Sequence, residues 1–135
     1  MLYTNNQLKC ISVKAPWAWA IAAGVKDVEN RSWRTHYRGE LGIHAGKTFT
    51  KYEHKEISTY CENNGLIIPD YNTLQSTFAG KVIAIVKVVD CIQNSRSMWA
   101  VPNCHHWVLE HLTPVGFVPL PAIGKQGFFR IEINK

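Results

Sequence analysis

The sequence predicts an α+β fold, a small β-barrel with helices packed around it. Three observations lead there. Several segments alternate apolar and polar residues with the period of a strand, and one longer apolar run is rich in β-branched residues. Segments with helical spacing fall between these strands rather than in a separate block. The length of 135 residues fits one domain, expected to span 1–135. A chain of this size buries about two-thirds of its unfolded surface, enough for a core without metal or disulfide support.

Taken in order, residues 8–13 alternate and read as a strand. Pro16 suits the first position of a helix, and residues 17–23 form a short helix closed by Gly24. Residues 27–33 alternate again, with Asp27, Glu29, Arg31 and Trp33 on one side and Val28 and Asn30 on the other. Lys26 precedes that strand, so the alternation does not fix its direction. Tyr37-Arg38-Gly39 turns the chain. Leu41, Ile43 and Ala45 then share one strand face, opposite Gly42 and His44. Lys51–Asn63 reads as an amphipathic helix ended by Asn64-Gly65, and residues 71–78 as a second short helix. Residues 81–91, with Val82-Ile83-Ala84-Ile85-Val86, read as a long central strand. His105–His111 is expected to be a helical turn. Pro114, Pro119 and Pro121 punctuate an extended loop, and residues 127–133 supply the last strand.

Composition narrows the function. With 46% hydrophobic and 19% charged residues the chain is globular rather than disordered. No apolar run reaches the roughly 18 residues of a membrane span. Residues 1–7 lack the basic-then-apolar order of a leader peptide, so a cytoplasmic location is expected. Cys10, Cys61, Cys91 and Cys104 form no CxxC and are expected to be reduced thiols. The formal charge of +5 and a pI near 9.1 favour phosphate-bearing partners. Trp17, Trp19, Trp33, Trp99 and Trp107 exceed what so small a core needs, and a flat aromatic in a basic cleft is a surface for a base.

Several motifs fail. Gly46-Lys47-Thr48 looks like the end of a phosphate-binding P-loop, but Leu41 stands where the loop needs glycine. Cys104-His105-His106 with His111 lacks a sensibly spaced fourth ligand, so no metal is expected. GxGxxG and GxSxG are both absent, and no cofactor is implied.

The informative stretch is Ser12-Val13-Lys14-Ala15-Pro16-Trp17-Ala18-Trp19-Ala20-Ile21. It continues through Gly24-Val25-Lys26-Asp27-Val28-Glu29-Asn30-Arg31-Ser32-Trp33 to Tyr37-Arg38-Gly39 and Ile43-His44-Ala45-Gly46-Lys47. A strand leads into a helix start, a glycine ends that helix, and a charged strand follows. Lys26, Glu29 and Arg31 are thereby brought near a helix N-terminus that favours anions, with Trp17 and Trp33 bordering the same space.

This stretch resembles the ASCH family, whose GxKxxExR signature is matched by Gly24, Lys26, Glu29 and Arg31. PWAWAI before it and the IHA segment after it resemble bacterial and phage members. Trp107-Val108-Leu109-Glu110, Pro119-Leu120-Pro121 and Gly124-Lys125-Gln126-Gly127-Phe128-Phe129 resemble the closing part of that subfamily. The resemblance implies a PUA-like barrel and work on RNA or nucleosides. Members include amidohydrolases that deacylate N4-acetylcytidine, single-strand ribonucleases, and binding modules. Fold alone does not choose among these.

Two function classes follow. One is a binder of RNA, of single-stranded nucleic acid or of a modified nucleoside, with a basic, aromatic-lined cleft. The other is a small hydrolase of N4-acylcytidine or RNA. Lys26 maps onto the lysine of the amidohydrolase members, but their threonine three residues later is Glu29 here. A carboxylate there can activate water while Lys26 or Arg31 stabilises the oxyanion, or it can simply pair with those cations. The binding candidates are Pro16, Trp17, Arg31, Trp33, Arg34, His44, Lys47, Lys125 and Gln126. Plainer roles stand beside these: barrel-mouth packing for Trp17 and Trp33, a solvated turn for Arg34, and a hydrogen-bonded structural role for His44. Lys47 is by default an exposed lysine. Glu110 is either a second cleft carboxylate or a helix-surface residue. The sequence does not fix an oligomeric state.

Overall fold

The computed structural model describes residues 6–133; residues 1–5 and 134–135 of the expected domain lie outside the described residues. Strand β1 (Gln7–Lys14) runs directly into helix α1 (Ala15–Ala22), followed by β2 (Val28–Arg31) and β3 (Gly39–Gly46). Helix α2 (Lys51–Asn63) and one turn of α3 (Tyr71–Thr73) come next, the latter passing into a π-helical turn over Leu74–Phe78. The chain closes with β4 (Lys81–Ile92), β5 (His105–His111), β6 (Leu120–Pro121) and β7 (Phe129–Glu132). The strands form one mixed sheet in the order β2-β5-β4-β3-β1-β7, with β6 also paired to β4. The β1–β3 pair is parallel and the other pairs are antiparallel. The sheet curls into a half-barrel with the helices packed around it, an α+β PUA-like barrel.

Local chemistry sets the elements. Pro16 occupies the second position of α1, one later than the sequence suggests, and its missing N–H costs nothing in a first turn. Gly24 takes φ +76, a left-handed conformation that terminates α1, and the Lys26 amide bonds back to the Ala20 carbonyl at 3.1 Å. Helix α2 begins with a reciprocal capping box. The Glu53 amide donates to Thr50 Oγ1 at 3.0 Å, and the Thr50 amide donates to Glu53 Oε1 at 2.9 Å.

Strand β4 lies inside the sheet, and Val82 through Val86 are all buried. One face of the sheet, with Ile11, Val13, Leu41, Ile43 and Ile83, packs against Ala18 and Ile21 of α1 and Ile57 and Cys61 of α2. The other buries Leu8, Cys10, Val82, Ile85, Phe129 and Ile133. Each such aliphatic side chain contributes about 1.5–3 kcal/mol by leaving water. Gly42 belongs to this second face, where a Cβ would stand 2.8 Å from both Cys10 Sγ and Leu8 Cδ2.

Three expectations change. His105–His111 is a strand, not a helical turn, paired to both β2 and β4. Glu110 is therefore an exposed strand residue, and it lines neither of the cavities described below. Residues 27–33 are strand only over Val28–Arg31, so Trp33 lies past the end of β2. Within the proline-rich loop, Leu120–Pro121 pairs with Lys81 and Val82.

Candidate functional site

Lys26 follows the α1 terminator and is only 5% exposed. Its Nζ donates to the Val28 carbonyl, lies 3.8 Å from Glu29 Oε1, and sits 5.5 Å from the centre of the Trp17 ring. Burial pushes its ammonium below the ordinary lysine range, and the nearby Glu29 and Asp27 carboxylates oppose that shift. Glu29, also buried, has its other oxygen 3.0 Å from Arg31 Nε. That contact is an ion pair without hydrogen-bond alignment, since the Arg31 Nε–H finds no acceptor within bonding geometry. The guanidinium is fixed instead by Nη2, which donates to the Ser12 carbonyl at 2.6 Å. One carboxylate thus stands between two cations at the head of β2.

Two cavities open beside this cluster. The smaller, about 700 Å³, is lined by Trp17, Lys26, Glu29, Asn30, Tyr60 and Trp99 among others. Trp17 meets Tyr60 and Trp99 edge to face at 5.9 and 6.4 Å between ring centres. Asn30 holds the loop that carries Trp99: its Nδ2 donates to the Trp99 carbonyl and its Oδ1 accepts from the Val101 amide, each at 2.9 Å. The larger cavity, about 1120 Å³, is lined by Trp33, His44, Lys47, Lys125 and Gln126 among others. Ser12, Lys14 and Arg31 line both and form a shared wall. Lys14 pairs with Glu53, whereas Lys47 and Lys125 make no ion pair among the described residues.

The structure therefore brings Lys26, Glu29, Arg31 and Trp17 together. His44, Lys47, Lys125, Gln126 and Trp33 gather in the adjoining cavity. Trp17 and Trp33, expected to border one space, line different cavities, and Trp33 packs instead on Trp107 and Phe128. Buried Pro16 and exposed Arg34 line neither cavity. Sequence reasoning passed over Tyr60, Trp99 and Asn30. Trp99 sits in a loop without periodicity, and its only signal was the surplus of tryptophan.

Lys26, Glu29 and Arg31 thus line one pocket. The ASCH domain family matches residues 11–117. The chain belongs to the ASCH domain family. Its relatives include activating signal cointegrator 1 of Mus musculus, 33% identical over 96 residues, and of Homo sapiens, 35% identical over 98 residues. Each match covers 70% of this chain but 16% of the cointegrator, so the chain aligns with a small part of those proteins. In this ASCH domain the signature glycine stops α1, the lysine is buried under Trp17, and the glutamate bridges lysine and arginine. The PUA-like fold of the family is associated with RNA binding. No helix among the described residues is long and apolar enough to cross a membrane. All four cysteines are unpaired, and burial pushes the Cys10 thiol up to about 12, away from thiolate chemistry.

Proposed function

We propose that this ASCH domain binds single-stranded RNA, seating one base in the smaller cavity while the backbone follows the larger one. The supporting observation is the junction of the two cavities along Ser12, Lys14 and Arg31. A recess of about 700 Å³, large enough for a base, offers the aromatic surface of Trp17 and Tyr60 backed by buried Trp99. The buried Lys26 and Glu29 offer a donor and an acceptor to base edges. The adjoining open cavity presents the unpaired cations Lys47 and Lys125 to phosphate. Stacking and phosphate contact are the two terms that dominate single-strand binding. The +5 charge adds long-range attraction. Titration of a fluorescent oligoribonucleotide should show binding at low salt that weakens steeply as salt rises. Absence of binding at low salt would sink the reading.

A second reading, hydrolysis of an acyl group on a modified cytidine or of RNA, is favoured by one observation. Lys26 and Glu29 stand 3.8 Å apart beside a recess large enough to admit a base. Glu29 would then activate water and Lys26 would stabilise the developing negative charge. A screen of acylated nucleosides and short RNAs should give turnover that Glu29→Gln abolishes while binding persists. Turnover surviving in Glu29→Gln excludes that mechanism.

A further inference from the structure

The larger cavity contains a second constellation, built on Ser12 and His44 rather than on Lys26 and Glu29. Ser12 and His44 face each other across the parallel β1–β3 pair, register partners on the same face of the sheet. Ser12 Oγ lies 3.0 Å from His44 Nδ1. His44 Nε2 lies 2.8 Å from the Ala122 carbonyl. A carbonyl oxygen only accepts, so Nε2 carries the ring proton. In the neutral ring Nδ1 is then the bare nitrogen, and the Ser12 hydroxyl must donate to it. This is the arrangement of a nucleophile, its base, and a third group that orients the base.

Three further features fit. The orienting carbonyl is itself pinned, because the Ala122 amide donates to the Gly80 carbonyl at 3.0 Å and β6 pairs with β4. The β3–β4 register shifts between Ile43 and His44, the kind of irregularity that re-aims a side chain beside a site. Glycines let the backbone pass close against the pair, in which His44 is buried and Ser12 half-buried. A Cβ at Gly124 would stand 2.7 Å from His44 Cε1 and 3.1 Å from Ser12 Oγ, and one at Gly46 would stand 3.1 Å from the same oxygen. Arg31, bonded to the Ser12 carbonyl at 2.6 Å, brings its guanidinium near the hydroxyl.

We infer that Ser12 and His44 form a nucleophile–base pair that cleaves an acyl ester whose alcohol portion carries phosphate. Lys47 and Lys125, which line the cavity and make no ion pair among the described residues, select the anionic portion. Ser12 Oγ forms a bond to the acyl carbon as its proton passes to His44 Nδ1. The bond from acyl carbon to alcohol oxygen breaks, and that oxygen takes the proton from His44. Water then attacks the acyl-serine, gives its proton to His44, and releases the carboxylic acid while Ser12 recovers its hydrogen. This activity does not require catalysis by Lys26 and Glu29, but it occupies the larger cavity of the RNA-binding reading and shares Arg31 with the Lys26–Glu29 cluster.

The test is labelling of the full chain with diisopropyl fluorophosphate, followed by intact mass and peptide mapping. Ser12 Oγ forms the bond to phosphorus, the bond to fluorine breaks, and the proton leaves through His44. The expected result is one adduct per chain at Ser12, absent in Ser12→Ala. His44→Gln should label about a hundredfold more slowly, the scale of a lost general base. Near-UV circular dichroism establishes whether that variant folds. If it does not, Gly124→Ala decides, since its Cβ displaces the ring and should slow labelling at least about tenfold. No adduct on the folded wild type, an adduct that persists in Ser12→Ala, or undiminished labelling in folded His44→Gln or in Gly124→Ala would each overturn the inference.

Discussion

Glu29→Ala should lower the unfolding free energy by about 3 kcal/mol or more, read from urea denaturation at neutral pH. The carboxylate lies between Lys26 and Arg31 and is itself buried, so its removal leaves both cations without their ion-pair partner and only Asp27 near Lys26. Lys26→Met should cost less, because Arg31 still neutralises Glu29 and the methionine stem fills the lysine's place. A Glu29→Ala chain as stable as wild type would mean that the cluster is solvated and its pairing idle. The lysine variant also isolates a pH effect. Burial depresses the folded-state proton affinity of Lys26 below the ordinary value of 10.5. Between the depressed value and 10.5 the unfolded chain holds more protons, so stability rises with pH in that window. The stability of wild type relative to Lys26→Met should therefore increase as pH approaches 10.5, and should fall away as pH drops through the folded value.

Trp17→Leu should weaken binding of a single-stranded oligoribonucleotide by about tenfold to a hundredfold, the stacking contribution of one base. Leucine retains apolar volume against Tyr60 and Trp99 but removes the ring. Because no charge changes, the slope of affinity against salt should be that of wild type. Lys47→Ala should do the converse: a smaller loss of affinity and a slope shallower by about one. Lys47 is exposed at the cavity wall and makes no ion pair among the described residues, so its removal should not disturb the fold. Equal binding by Trp17→Leu and wild type would remove the base from the smaller cavity. A changed slope in that variant would place phosphate, not a base, beside Trp17.

The local elements were legible because their signals are local. Asn64-Gly65 ends α2, Gly24 stops α1, and the β-branched run Val82–Val86 suits a strand covered on both faces. His105–His111 carries no clean strand alternation, because His106 and Trp107 are buried on opposite faces and Leu109 with Trp107. Pairing to β2 and β4 on its two sides, not propensity, makes it a strand.

By itself the sequence determined the α+β fold class, the ASCH signature Gly24, Lys26, Glu29 and Arg31, and the basic, tryptophan-rich character of the chain. Only the tertiary structure decided how those residues divide between two cavities. The separation of Trp17 from Trp33 follows from the early end of β2, and the reach of Trp99 to Trp17 follows from a loop clamped by Asn30. The meeting of Ser12 with His44 depends on the register of a parallel pair formed across a whole helix and strand. Register and loop closure are long-range properties. They are set by which faces bury together once the sheet curls, and no window of neighbouring residues contains that information.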